Sequence, residues 1–337
     1  MMHVRVQPPH YYYPRDDLAA AADIQQQQQQ QQQQHLQRWA KCEELGRGAH
    51  GTVYRAILLD TGESIAVKQI HTSGMRRSEL QAAENEIGIL RQLRHPNVVP
   101  FFGVQRVDDH LNIFLEYMDG GSLRRRLDRE GPMSESQTRV VTRKVLAGLS
   151  YLHSNGIAHR DIKGANVLLS KEGAVKLADF GTSKPMDQDS VVSGLKGTPN
   201  WMAPEVIKNQ LRPGGWLQAD VWSVGCTVVE MLTGKMPWPN MHSPLCAMFK
   251  IVSGGKPPMD RDVSVEALSF MAACISTKPS RRFTVGRLME HPFLVGGRSS
   301  QRAARSPRSP PQPPPASSPN PYDDHHHHHH HHQPGDD

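Results

Sequence analysis

The sequence predicts an α+β fold in which a small strand-rich lobe is followed by a larger, mainly helical lobe. Short segments that alternate apolar and polar residues occupy the first part of the globular region, a pattern typical of half-buried strands. Beyond Gly120 the pattern becomes mainly helical. Segments of biased composition flank this region on both sides. The chain therefore divides into residues 1–38, 39–295 and 296–337.

The two flanking segments have compositions that predict disorder. Residues 1–38 include an uninterrupted glutamine run from Gln25 to Gln34, which has too little apolar surface to build a core. Residues 296–337 are rich in Arg, Ser and Pro and include the histidine run from His325 to His332. We therefore expect a disordered glutamine-rich N-terminal segment, one folded domain over residues 39–295, and a disordered Ser/Pro- and His-rich tail.

Local patterns predict the elements of the folded domain in order. Residues 52–56 and 64–68 alternate in polarity and predict two strands, and the Asp-Thr-Gly-Glu sequence at 60–63 supplies a turn between them. A helix follows, because four apolar residues fall on one of its faces: Leu80, Ala83, Ile87 and Leu90. Ser134 and Gln137 have the spacing of a capping box and predict the start of a later helix.

Composition and charge narrow the class of protein. The formal net charge is +6, but no stacking module accompanies the basic residues, so we expect no nucleic-acid partner. The four cysteines show no CxxC spacing, which favours reduced thiols in an intracellular protein over a zinc site. No apolar run is long enough for a signal peptide or a membrane span. We therefore expect a soluble, cytoplasmic protein without membrane insertion.

A glycine-rich pattern leads into the first predicted strand. Gly46, Gly48, Gly51 and Val53 fit the pattern G-x-G-x-x-G-x-V. Glycines let backbone N–H groups approach phosphate oxygens closely. A dinucleotide-binding turn would lead into a helix, whereas here another strand follows, which favours a nucleotide-binding hairpin. Taken alone, the pattern fits an ordinary structural turn equally well.

Two tripeptides in the helical region carry the chemistry. His159-Arg160-Asp161 is followed by Asn166, and thirteen residues later the chain reads Asp179-Phe180-Gly181. Phosphoryl transfer needs a carboxylate to orient a hydroxyl nucleophile, and an amide and a second carboxylate to hold magnesium against the phosphates. Asp161, Asn166 and Asp179 supply these three groups in this order along the chain.

This order resembles the catalytic loop and the metal loop of protein kinases. The resemblance covers about residues 39–295 and implies the bilobal protein kinase fold, with a β-rich N-lobe that contains the αC helix and a mainly helical C-lobe. It also implies ATP and Mg²⁺ as cofactors. Asp161 would then orient the substrate hydroxyl, Lys163 would neutralise the migrating phosphate, and Asn166 and Asp179 would bind Mg²⁺.

The same resemblance assigns residues to the nucleotide. Lys68, on the second predicted strand, would reach the α- and β-phosphates, and Glu86 of the αC helix would hold it there, with Glu84 and Glu79 as rivals by spacing. Leu115 would be the gatekeeper, and the backbone near Glu116 and Met118 would bond to the adenine edge. The ring would lie between three apolar residues, which ordinary core packing explains equally well: Val53, Ala66 and Leu168.

Later residues complete the resemblance. Asp220 would anchor the backbone of the catalytic loop, and Arg282 would form a buried ion pair with Glu205. Phe283 departs from the family pattern, which usually has proline after that arginine. Thr198 would bond near Asp161 and shape the floor under the substrate residue.

The subgroup is indicated by several short stretches. Lys163 and the sequence at 197–205 are similar to serine/threonine kinases rather than tyrosine kinases. Residues 45–48, 66–70, 111–117 and 176–184 resemble mitogen-activated protein kinase kinase kinases of the STE11 type, whereas 159–168 and 197–207 are shared with STE20-type kinases. The resemblance implies a MAP kinase kinase as protein substrate. A STE20-like kinase and a pseudokinase scaffold are the alternatives.

Regulation by phosphorylation is a further expectation. Arg160, next to Asp161, suggests an activation loop that is ordered by a phosphate paired with this arginine. Ser193 is the first acceptor by position and Ser190 the second, whereas Thr198 fits a structural role better. An upstream activating kinase would then be a partner. The sequence indicates no particular oligomeric state.

Overall fold

A computed structural model of the 337-residue chain describes residues 36, 38–48, 51–185, 198–212, 214–239, 241, 243–259 and 262–296. The segments 1–35 and 297–337, for which the sequence predicts disorder, lie outside the described residues, and so do Ser190 and Ser193. Within the described ranges, none of the helices combines the length and the apolar character that a membrane crossing requires.

The N-terminal lobe is a five-stranded antiparallel sheet with one helix. The strand order is β1-β2-β3-β5-β4. The strands are β1 (Trp39–Gly48), β2 (Gly51–Leu58), β3 (Ser64–His71), β4 (Phe101–Val107) and β5 (His110–Glu116), and helix α1 (Arg77–Gln92) follows β3. The two strands and the helix that the local patterns predict are therefore observed, and the helix buries Ala83, Ile87 and Leu90 as expected.

Strand alternation in β3 separates the core from the site. Ile65 and Val67 are fully buried in an apolar cluster on one face of the sheet. Successive side chains of a strand point to opposite faces, so Ala66 and Lys68 lie on the other face. Leu36, which belongs to the segment 1–38, is also buried in this apolar cluster. The first sheet thus presents Lys68 on the face away from its own small core.

The C-terminal lobe is mainly helical, with two short strand groups in its first part. Strands β6 (Gly121–Ser122), β8 (Val167–Leu169) and β9 (Val175–Leu177) form a small sheet, and β7 (Ile157–Ala158) pairs with β10 (Lys184–Pro185). The helices are α2 (Leu123–Glu130), α3 (Glu135–Ser154), α4 (Pro204–Ile207), α5 (Gly215–Thr233), α6 (Pro244–Val252), α7 (Val265–Cys274), α8 (Val285–Met289) and α9 (Pro292–Val295). The predicted two-lobed α+β architecture is confirmed.

Helix α3 begins where the sequence predicts. Ser134 is its N-cap and accepts a hydrogen bond from the N–H of Gln137, while the Gln137 side chain accepts one from the N–H of Ser134. These reciprocal bonds satisfy two donors that the first turn of a helix leaves unpaired. The capping box therefore fixes the start of this helix.

Helix α5 runs through the interior of the C-terminal lobe. Every residue from Ala219 to Leu232 is buried, as expected for a helix packed on all sides. Gly225 allows α7 to approach closely, because a Cβ at this position would lie 2.6 Å from the Cβ of Cys274. The two carboxylates within this buried stretch, Asp220 and Glu230, require polar partners. Both find them in the loop that carries Asp161.

Candidate active site

Asp220 fixes the start of the loop between β7 and β8. Its carboxylate accepts hydrogen bonds from the backbone N–H groups of His159, at 2.9 Å, and Arg160, at 2.8 Å. The ring of His153 on α3 lies 2.9 Å from the same carboxylate. Asp220 is 1% exposed, and these hydrogen bonds offset the free-energy cost of burying its carboxylate. The buried helix α5 thereby positions the backbone beside Asp161.

Glu230, one of the residues that sequence reasoning missed, fixes the other end of this loop. Its carboxylate accepts hydrogen bonds from the N–H of Gly164 at 2.9 Å, the indole N–H of Trp201 at 3.2 Å and the guanidinium of Arg124 at 3.0 Å. Burial raises the pKa of Glu230 above its ordinary value, although the Gly164 N–H and the Arg124 charge oppose this. A Cβ at residue 164 would lie 2.7 Å from the carboxylate, so this contact requires glycine. The signal that could have identified Glu230 is a carboxylate within a fully buried helix.

Asp161 lies at the centre of a compact polar cluster. Lys163 donates to its Oδ2 at 2.7 Å, and Asn166 donates to the same oxygen at 3.0 Å. The hydroxyl of Thr198 donates to Oδ1 at 2.9 Å and accepts a hydrogen bond from Lys163 at 2.5 Å. Asp161 itself is 8% exposed. The structure thus brings together four of the predicted site residues from the catalytic loop and the segment that precedes α4.

Asn166 and Asp179 are joined through the backbone. The N–H of Ala178, directly before Asp179, donates to the carbonyl of Asn166 at 2.9 Å. The side-chain nitrogen of Asn166 is held by Asp161, so its amide oxygen is the atom suited to a cation. Asp179 has a φ of 63°, a left-handed conformation that costs about 1–3 kcal/mol outside glycine and that concentrates at functional sites. Carboxylate and amide oxygens are ligands suited to Mg²⁺, so this pair fits the ion.

Lys68 forms a buried ion pair with Glu86. The ammonium nitrogen lies 2.6 Å from Glu86 Oε1 and 3.1 Å from Asp179 Oδ1, and the side chains of Lys68 and Glu86 are 7% and 4% exposed. Burial, the largest single effect, lowers the pKa of Lys68, but the charges of Asp179 and Glu86 outweigh it and the net shift is upward. Lys68 therefore remains a cation. Of the two rivals, Glu79 caps α1 beside Arg76 and Glu84 is exposed.

The predicted adenine contacts lie around the connection between the lobes. Ala66 pairs with Leu115 across β3 and β5, and Val53 pairs with Lys68 across β2 and β3. Leu168 pairs with Ser122 at the start of the second lobe. The connection itself contains Glu116, whose carboxylate lies 2.5 Å from Lys176 on β9, and the buried Met118. These positions place the predicted residues on both sides of the connection.

The three glycines of the β1–β2 hairpin differ in how closely other atoms pack around them. Gly51 has a φ of 119°, and a Cβ there would lie 2.5 Å from the carbonyl oxygen of Gln69. At Gly46 and Gly48 a Cβ would meet no atom of the described residues within 4 Å. Packing within the described part of the chain therefore accounts for Gly51, but not for the two glycines before it.

Arg125 connects the second lobe to this hairpin. Its guanidinium, on α2, donates to the carbonyl oxygen of Leu45, the residue before Gly46. Its neighbour Arg126 instead pairs with Glu130 on the same helix. The contact of Arg125 joins residues 80 positions apart, so no local pattern could have predicted it.

Comparison with known proteins identifies the family. The family model of the protein kinase domain matches residues 39–294. The chain is 45% identical over 269 residues to mitogen-activated protein kinase kinase kinase 2 of Arabidopsis thaliana, which covers 77% of this chain and 41% of that protein. It is 41% identical over 270 residues to mitogen-activated protein kinase kinase kinase A of Dictyostelium discoideum, with 77% and 28% covered. It is 44% identical over 259 residues to the cytokinesis protein sepH of Emericella nidulans, with 76% and 19% covered.

The match to the family model includes both lobes and the polar cluster around Asp161. The chain spans 41% or less of the length of these three relatives. The family model itself covers the first strand through α9. The chain belongs to the protein kinase domain family.

Proposed function

We propose that the chain is an ATP-dependent protein serine/threonine kinase whose kinase domain spans residues 39–295. The family implies ATP-dependent phosphoryl transfer, generally with Mg²⁺. The observation that carries the proposal is the environment of Asp161, whose carboxylate is held by Lys163, Asn166 and Thr198 at 2.7–3.0 Å. A carboxylate fixed in this way can orient a substrate hydroxyl and accept its proton.

The neighbouring residues supply the charge that phosphoryl transfer requires. Lys163 neutralises the γ-phosphate as it moves toward the hydroxyl, and Lys68, held by Glu86, contacts the α- and β-phosphates. The backbone of Gly46 and Gly48 approaches the phosphates, which explains two glycines that packing does not require. Asn166 and Asp179 would hold Mg²⁺, which shields the phosphate charges when it is bound.

The adenine would bind at the connection between the lobes. Its edge would bond to backbone groups near Glu116 and Met118, with Leu115 as the gatekeeper at the back. Three apolar residues would enclose the ring: Val53, Ala66 and Leu168. Their distribution on β2, β3 and β8, on both sides of the connection, supports this arrangement.

We further propose that the substrate is a MAP kinase kinase, phosphorylated on its activation loop. Two of the relatives are named mitogen-activated protein kinase kinase kinases. A second candidate is a serine/threonine kinase with a different protein substrate, because the chain is also 44% identical to a relative with another name, the cytokinesis protein sepH. The substrate experiment below separates these candidates.

The test is Mg²⁺-dependent transfer of labelled γ-phosphate from ATP by the full chain. The acceptors are a catalytically dead MAP kinase kinase and a generic basic protein, and Asp161→Asn is the control because it keeps the shape and removes the base. Transfer to activation-loop Ser or Thr of the dead kinase, lost in Asp161→Asn, is the expected result. Transfer to the generic acceptor alone would remove the MAP kinase kinase assignment. No transfer to either acceptor, even after treatment with an upstream kinase, would favour a scaffold.

We also propose that phosphate on Ser193 or Ser190 orders the activation loop by pairing with Arg160, while Thr198 serves the polar cluster. An upstream kinase would add this phosphate. Replacing both serines with alanine should lower kcat/KM about tenfold or more, because an ordering contact with a phosphate is lost. The measurement is activity after treatment with an upstream kinase. Equal activity of the double variant and the unchanged protein would contradict this regulation.

A further inference from the structure

Arg160 is held by its main chain and by its side chain. Its φ is 72°, a left-handed conformation that residues other than glycine adopt only where the surroundings enforce it. Its backbone N–H donates to Asp220 Oδ1 at 2.8 Å. Its guanidinium carbon lies 3.7 Å from the centroid of the Trp216 ring, well within the range of a cation–π contact.

Both contacts come from one turn of helix α5. Trp216 is the second residue of this helix and Asp220 lies four residues later, so their side chains share a face. Asp220 therefore fixes the backbone of Arg160 while Trp216 lies against its guanidinium. The indole is partly exposed, so complete burial in the core does not account for an aromatic residue here.

We propose that Trp216 is a positioning residue of this kinase: its indole orients the guanidinium of Arg160, and through it the loop that carries Asp161, before any phosphate on the activation segment contributes. The inference rests on the proposed kinase activity and on the proposed pairing of Arg160 with phosphate. A guanidinium that lies over a ring keeps its N–H donors in its own plane, so stacking on Trp216 is compatible with binding an anion at the edge.

The proposal has a distinct consequence for the unphosphorylated protein. Without phosphate, Trp216 supplies an orienting contact for the Arg160 side chain. With phosphate, Arg160 gains a further and stronger partner, since a charge-assisted bidentate contact exceeds a cation–π contact. Loss of the aromatic ring should therefore weaken the unphosphorylated form more than the phosphorylated form. A purely structural role would weaken both forms equally.

The test uses the full chain with Trp216→Leu, which keeps apolar bulk without a π face, and Trp216→Phe, which keeps an aromatic face. Each protein is prepared phosphatase-treated and after phosphorylation by an upstream kinase. In the phosphatase-treated form, kcat/KM of Trp216→Leu should fall about threefold to tenfold, the factor that a contact of this kind contributes. In the phosphorylated form it should fall less than about twofold, and Trp216→Phe should lie between Trp216→Leu and the unchanged protein. Equal losses in the two forms, or a Leu variant that matches the Phe variant, would overturn the proposal.

A second readout does not depend on catalysis. Hydrogen exchange of the peptide that contains Arg160 reports opening of the N–H bonds to Asp220, and thermal unfolding shows whether each variant is folded. We expect faster exchange of this peptide in Trp216→Leu than in Trp216→Phe at similar melting temperatures. Unchanged exchange in Trp216→Leu would overturn the proposal. If the unchanged protein transfers no phosphate, the proposed activity fails, and the exchange rates still decide the role of Trp216.

Discussion

Two adjacent arginines on α2, Arg125 and Arg126, have different partners. Arg125 is exposed, yet it donates to the carbonyl of Leu45, so it connects the second lobe to the strand that leads into Gly46. Among the ion pairs of the described residues, Arg126 forms one with Glu130, on its own helix. An exposed ion pair within one helix contributes little to stability, whereas a hydrogen bond between the two lobes restrains the hairpin that we propose covers the nucleotide.

Arg125→Ala should therefore raise KM for ATP about twofold to fivefold, because an exposed hydrogen bond from a charged donor contributes about that factor. The value of kcat should change less, since the cluster around Asp161 is untouched. Steady-state kinetics at varied ATP measure both constants. Arg126→Ala is the matched control and should leave KM near that of the unchanged protein. Equal KM values for the two variants would show that the Leu45 contact does not restrain the hairpin.

At the level of elements, one carboxylate joins the starts of two helices. Glu135, the first residue of α3, accepts the N–H of Ser264 at Oε1 and its hydroxyl at Oε2, both at 2.6 Å. Ser264 is in turn the N-cap of α7. Partial burial, the largest single effect, raises the pKa of Glu135, but the bonds from Ser264 and the charge of Arg139 together hold it below the ordinary value. The ionised carboxylate is thus the form that the fold stabilises.

Glu135→Gln should lower the free energy of unfolding at pH 7 by about 1 kcal/mol, the usual value of such hydrogen bonds. Because the folded pKa lies below the unfolded one, the contribution is present above the unfolded pKa and is lost as the pH falls through the folded pKa. The difference between the variant and the unchanged protein should therefore shrink as the pH falls from about 5 toward 3. Denaturant unfolding at several pH values measures it, with the exposed Glu266, in the first turn of α7, changed to Gln as control. A difference that is constant with pH would refute the assignment to the carboxylate.

Across the whole molecule, the features that the sequence predicts are those formed by residues close together in the chain. Alternation at residues 52–56 and 64–68 and the spacing of Ser134 and Gln137 are short-range patterns, and the structure has the strands and the helix start that they indicate. The motif around Asp161 could be recognised because its residues lie close together in the chain. The partners of Glu230 were not predictable in this way, because Gly164 and Arg124 lie 66 and 106 residues from it. Such contacts exist only after the lobe has folded.

Leu36 shows the same principle at the boundary of the folded domain. It follows the glutamine run almost directly, and composition assigns it to the disordered segment 1–38, yet it is 7% exposed in the cluster that contains Val67 and Phe114. Its Cδ1 would lie only 2.6 Å from a Cβ at Gly103, so it fills the space above that glycine. We infer that Leu36, although it precedes the proposed kinase domain of residues 39–295, contributes to the core of the first sheet.

Leu36→Ala in the full chain should lower the free energy of unfolding by about 2–3 kcal/mol, because a buried leucine leaves a cavity that its neighbours fill only in part. Leu59→Ala is the matched control, since Leu59 is 55% exposed, and should change it by less than about 0.5 kcal/mol. Denaturant unfolding measures both. Leu36 packs on the face of the sheet opposite Lys68, so KM for ATP should not change in folded Leu36→Ala. Equal unfolding free energies for the two variants would show that Leu36 does not contribute to the core.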